Sequence, residues 1–82
     1  MISITKATPS SITVLVDNKT VKVSGESFLR GHGSPDFIID IGSIKKWDAP
    51  FDMVAITESE RAVIVDYLLK ELTARQWYVT AE

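Results

Sequence analysis

Ile12-Thr13-Val14-Leu15-Val16-Asp17-Asn18-Lys19-Thr20-Val21-Lys22-Val23-Ser24 holds two alternating runs separated by a short polar break. Successive side chains of a strand point to opposite sides, so Ile12, Val14 and Val16 share one face while Thr13 and Leu15 share the other. After the break, Val21 and Val23 alternate with Lys22 and Ser24. With Asn18 and Lys19 as a two-residue loop, Val16 faces Val21, Val14 faces Val23, and both apolar sets lie on one side of the ladder. A one-residue slip would turn one set to water. The alternation therefore predicts a hairpin with one buried face.

The pattern extends in both directions. Ile2 and Ile4 alternate with Ser3 and Thr5, and Thr8-Pro9-Ser10-Ser11 supplies a turn before the hairpin. Residues 25–36 are irregular: Phe28 and Leu29 extend a strand, and Arg30-Gly31-His32-Gly33-Ser34-Pro35-Asp36 reads as a loop. Phe37, Ile39 and Ile41 form a further strand closed by Gly42, and apolar Ile38 on its second face places it inside the sheet.

Thr57-Glu58-Ser59-Glu60 then has capping-box spacing, with Glu58 and Glu60 where the helix dipole favours negative charge. The helix that follows presents Ile64, Val65, Leu68, Leu69 and Leu72 as one stripe. Asp66 with Lys70, and Glu71 with Arg75, are i,i+4 pairs on its wet side. A glycine is the usual residue just past a helix, yet Arg75-Gln76 stands there. Trp77-Tyr78-Val79-Thr80-Ala81 reads as a last strand, with Trp77, Val79 and Ala81 on one side.

The element order is strand, strand, strand, strand, helix, strand. One helix covers only one sheet face, so the expected fold is α+β: a small twisted antiparallel sheet of four to five strands with one helix, in the C-terminal half, packed on it. The other face carries Thr13, Leu15, Lys22 and Ser24 and is mostly polar. A chain of 82 residues is expected to form one domain, 1–82, around one core.

Composition narrows the function. A 45% hydrophobic, 24% charged chain is too apolar for a disordered one. The absence of cysteine excludes disulfides and thiolate metal sites and suits a cytoplasmic setting. The opening Met-Ile-Ser-Ile-Thr-Lys has no basic segment followed by a long apolar run, so no export signal is expected. No apolar stretch approaches the roughly 20 residues that span a bilayer, and no membrane partner is expected. Net charge of −2 and a pI near 5.3 give no general reason to bind a polyanion.

His32 is the only histidine, which rules out multi-histidine metal sites. In its glycine-rich turn it reads as a solvated side chain. The same loop lacks the Lys-Ser/Thr and helix start of a phosphate cradle. No catalytic, cofactor-binding or metal-binding residue is expected. Ser43-Ile44-Lys45-Lys46-Trp47-Asp48-Ala49-Pro50-Phe51-Asp52 is the one segment that combines charge with large rings. Trp47 and Phe51 either face a partner, as tryptophan does at interface hot spots, or fold back over the sheet end. Lys45, Lys46 and Trp47 also suit single-stranded nucleic acid, which Asp48, Asp52 and the acidic helix start oppose. Self-association through an open sheet edge is a third reading.

Ser43-Ile44-Lys45-Lys46-Trp47-Asp48-Ala49-Pro50, the acidic helix start at Thr57 and Trp77-Tyr78-Val79 after the helix together resemble the immunity protein 74 family. Val21-Lys22-Val23-Ser24-Gly25-Glu26 fits the same pattern, so the likeness covers most of the chain. That pattern has a tryptophan, an acidic residue and one or two prolines before the helix. Here Ala49 occupies one proline position, and Gln76 stands where a glycine before the final tryptophan is common. The resemblance implies a small bacterial α+β protein of polymorphic toxin systems that protects the producing cell by binding a cognate toxin, with no catalysis. The expected contact region is Lys45, Lys46, Trp47, Asp48, Phe51 and Asp52. A small nucleic-acid-binding or regulatory domain is the alternative, and the oligomeric state stays open.

Overall fold

A computed structural model describes residues 1–27 and 36–82. The expectations for Phe28 and Leu29, and for the loop at Arg30 to Pro35 with His32, lie outside the described residues. Strands β1 (Ile2–Thr8), β2 (Ser11–Val16), β3 (Lys19–Ser27) and β4 (Phe37–Ile39) precede a 3-10 turn (Ile41–Ser43), helix α1 (Glu58–Ala74) and strand β5 (Val79–Ala81). The strands form one open sheet in the order β1-β2-β3-β4-β5. The architecture is α+β, as the element order predicts.

The hairpin forms with the expected face buried, but its register differs. Val14 pairs with Val21 and Ile12 with Val23, while Val16 pairs with Lys19. The loop is therefore Asp17-Asn18, one residue earlier than expected. Moving a two-residue loop by one position shifts the pairing by two, which leaves every side chain on its original face. Asp17 takes φ 56, a left-handed conformation that aspartate tolerates better than most residues. The Met1 ammonium donates to its carboxylate at 2.7 Å, and its own N–H donates to the Met1 carbonyl at 2.8 Å. The hydrogen bond from that ammonium, with its charge and a smaller contribution from Lys19, holds the Asp17 carboxyl below its ordinary value.

In β1 the register shifts between Ile4 and Lys6. The extra residue, Thr5, lets Ile2, Ile4 and Ala7 stay on the face of Val16, Val14 and Ile12 while Lys6 pairs with Thr13 on the other. Strand β3 then changes neighbours along its length. Its first part pairs with β2, and Gly25, Glu26 and Ser27 pair with Ile39, Ile38 and Phe37 of β4.

Two expectations for the C-terminal half are corrected. The sheet is mixed rather than antiparallel: β5 runs parallel to β4, with Phe37 opposite Val79 and Ile39 opposite Ala81. A parallel pair needs a long crossover connection, and segment 43–56 with α1 supplies one between β4 and β5. Strand β4 also stops at Ile39 instead of running through Ile41. The Ile41 N–H is taken by the Glu82 carbonyl, and the Ser43 hydroxyl and N–H both bond the Asp40 carbonyl, which winds the chain into the 3-10 turn.

Helix α1 starts as its spacing predicts. The Glu60 N–H donates to the Thr57 hydroxyl at 3.1 Å, and the Thr57 N–H donates to the Glu60 carboxylate at 2.9 Å. Ile64, Leu68 and Leu72 are buried, with Val65 and Leu69 partly covered beside them. The pairs Asp66–Lys70 and Glu71–Arg75 form at 3.0 and 3.3 Å. The core lies between this helix stripe and Ile12, Val14, Val21, Val23, Phe37 and Ile39 of the sheet.

The helix ends in a Schellman arrangement. The Gln76 N–H bonds the Thr73 carbonyl, the Trp77 N–H bonds the Leu72 carbonyl, and Gln76 takes φ 67. Those bonds delay β5 to Val79, later than its expected start at Trp77. For a residue with a Cβ, the left-handed conformation costs about 1–2 kcal/mol, and glycine recovers this less its larger backbone entropy. Gln76→Gly should therefore raise stability by about 0.5–1 kcal/mol. A urea unfolding midpoint that stays the same or falls counts against this account.

Candidate functional site

Among the described residues, the first half of β3 has β2 on one side and no strand on the other. Segment 43–56 covers that edge. The Ser24 N–H donates to the Ser43 hydroxyl at 3.0 Å, and the Asp48 N–H donates to the Thr20 carbonyl at 2.9 Å. The Thr20 hydroxyl donates to the Asp48 carboxylate at 3.1 Å. An uncovered edge exposes unpaired backbone groups to any other chain, and these bonds occupy part of them.

The segment folds back on itself. Lys46 and Ala55 form an antiparallel bridge, and the Ile56 N–H donates to the Lys45 carbonyl at 3.0 Å. The Phe51 N–H bonds the Asp48 carbonyl and the Val54 N–H bonds the Phe51 carbonyl, which closes the tip. The Ala49-Pro50 peptide is cis.

This arrangement sorts the six expected contact residues. Trp47 is 1% exposed and belongs to the core with Ile44 and Ile56. The Lys19 ammonium lies 5.0 Å from its ring centroid, a cation–π contact that lids the ring. The indole Nε1 is buried without a hydrogen-bond partner among the described residues. Phe51 is half-buried against the core. Lys45, Lys46, Asp48 and Asp52 are exposed, and neither lysine forms an ion pair with a described residue. The loop thus places four charged side chains outward and drives two rings inward.

Sequence reasoning passed over Met53 and Val54, which are 92% and 47% exposed at the loop tip. The sequence assigned them neither to the core nor to a surface. The one signal for their exposure was position: they fall between a proline and a helix cap, where no alternation assigns them a buried face. Met53 and Val54 thus add exposed apolar surface to a loop that also carries the exposed Lys45, Lys46, Asp48 and Asp52. Protein interfaces combine apolar and polar surface in the same way.

Among the described residues no group of three or more His, Asp or Glu side chains could hold a metal ion. No helix formed by them is long and apolar enough to cross a membrane.

The family model described as immunity protein 74 matches residues 4–82. The chain belongs to that family. The match runs from within β1 to the last residue, so segment 43–56 and strands β2 to β5 fall inside the immunity protein 74 region, with Ile2 and Ser3 of β1 ahead of it. No curated protein and no solved structure shows a match.

Proposed function

We propose that this protein neutralises a bacterial toxin by binding it directly in the cytoplasm of the producing cell, without chemistry of its own. The observation that carries this reading is the immunity protein 74 match across residues 4–82. Segment 43–56 supports it as a contact region: Lys45, Lys46, Asp48 and Asp52 are exposed together with Met53 and Val54 on one loop anchored to the sheet. A specific complex of standard size buries about 1,600 Å² in total, so this loop would supply part of the contact. A net charge of −2 favours a basic toxin through long-range attraction. An association rate insensitive to salt would remove that element of the proposal.

The nucleic-acid alternative needs an exposed ring on which a base can stack. The ring beside Lys45 and Lys46 is the buried Trp47, so this reading loses its main support.

The test uses the toxin domain encoded beside this chain's gene. Co-expression is expected to restore growth of cells that produce the toxin domain, and calorimetry with the purified pair should show a stable complex. Met53→Asp should weaken that complex about tenfold or more, equivalent to about 1.4 kcal/mol, with the unfolding midpoint unchanged. Continued killing of cells that express the wild-type protein would refute the function. An unaltered affinity in Met53→Asp would move the contact away from the loop tip.

A further inference from the structure

Helix α1 packs on one face of the sheet, and the opposite face carries no helix among the described residues. Lys22, Ser24 and Glu26 of β3 point to that outer side, because Val21 and Val23 belong to the core. Across the ladder Lys22 stands opposite Thr13, and Thr13 opposite Lys6. Glu26 stands opposite Ile38, and Ile38 opposite Thr80. The same period of two carries this face on to Asp40 and Glu82, two residues beyond Ile38 and Thr80.

The outer face is divided by charge. On its β1–β3 side, an opening of about 400 Å³ is lined by Lys6, Lys22 and Asp48, together with the hydroxyl residues Thr8, Ser11 and Thr13. On its β3–β5 side, an opening of about 320 Å³ is lined by Glu26, Asp40 and Glu82, with no cation. Lys6, Lys22, Glu26, Asp40 and Glu82 are exposed, and none forms an ion pair with a described residue. Asp48, the one carboxylate on the lysine side, accepts the Thr20 hydroxyl.

This segregation restricts the occupant. A uniformly basic partner is repelled by the lysine half, and a uniformly acidic one, nucleic acid included, by the carboxylate half. A partner for the whole face needs both signs, set apart by the same spacing. A second copy of this chain has that pattern by construction. A two-fold axis lying in the plane of the face, between the halves, turns each copy's lysines onto the other's carboxylates. Leu15 and Ile38, half-buried on the same face, add apolar area to the contact.

We infer that the helix-free face of the sheet is a dimer interface between two copies of this chain, with Lys6 and Lys22 of each copy set against Glu26, Asp40 and Glu82 of the other. Such a dimer is independent of the toxin-binding reading and needs no toxin to be measured.

Sedimentation equilibrium of the full-length protein is expected to show a monomer–dimer equilibrium that moves towards monomer as salt is raised. Lys6→Glu/Lys22→Glu makes both halves acidic, and Glu26→Lys/Asp40→Lys leaves both halves with an excess of cations. Each double variant should weaken self-association about tenfold or more. Mixing the two sets reversed lysines against reversed carboxylates at one contact and the original charges against each other at its symmetry mate. The mixture should therefore form a heterodimer of near wild-type affinity. If either double variant unfolds, Lys22→Glu and Glu26→Lys carry the same comparison.

A wild-type protein that stays monomeric up to about 1 mM overturns the inference. If the charge reversals then abolish binding of the toxin domain, the face belongs to the toxin. A dimer that both variants keep at wild-type affinity also overturns it, by placing the contact elsewhere, such as the open edge of β1. A mixture of folded variants that stays monomeric overturns it as well.

Discussion

Trp47→Ala should remove about 3–5 kcal/mol of stability, the usual cost of emptying a core site of a large ring. A domain of this size holds only about 5 kcal/mol or a little more, so the variant is expected to be close to half-unfolded at working temperature. The structural argument is specific. Trp47 is 1% exposed, is lidded by Lys19, and sits next to Asp48, whose N–H closes the edge of β3 through Thr20. Losing the ring therefore opens a cavity and slackens the segment that covers that edge. Urea unfolding measures the loss directly, and a variant within about 1 kcal/mol of wild type would show that the ring is not packed as described. Trp47→Phe keeps most of the bulk and removes the unpartnered N–H, so its cost should be well below that of alanine.

Gly25→Ala is expected to produce the second large effect, a loss of about 3 kcal/mol from a single added methyl group. At Gly25 β3 passes from β2 to β4, with its N–H bonded to the Ser10 carbonyl and its neighbour on β4 at Ile39. A Cβ there would lie 2.5 Å from the Phe37 ring and closer still to the Ile38 carbonyl oxygen. The ring has some freedom to move, but the carbonyl belongs to the paired strand and cannot shift without breaking the ladder. For a domain of 60–100 residues, 1 kcal/mol corresponds to about 4–8 °C, so the midpoint of thermal unfolding should fall by roughly 12–24 °C. A fall of only a few degrees would mean that β3 and β4 are not held at this distance.

The candidate site was legible in part. Lys45, Lys46, Asp48 and Asp52 stand out in the sequence as a charged loop, and they are exposed. The sequence could not say which way Trp47 points, because tryptophan is as common at the centre of interfaces as in cores. Met53 and Val54 were hidden for a related reason: in a loop without periodicity, an apolar residue gives no sign of which face it takes.

The same division runs through the fold. The faces of the β2–β3 hairpin, the capping box at Thr57 and the stripe of Ile64, Leu68 and Leu72 were determined by sequence alone, because alternation and i,i+4 spacing act between residues a few positions apart. The position of the hairpin loop escaped it, since a shift of two leaves each residue on its own face. The helix before β5 allowed a parallel return but fixed neither its direction nor its neighbour. Only the tertiary structure decided that β5 lies beside β4, that Gly25 must remain bare, and that segment 43–56 closes the open side of β3. Each depends on a contact between distant parts of the chain, such as Asp48 with Thr20 or Tyr78 with Asp36, and such contacts exist only once the elements have packed.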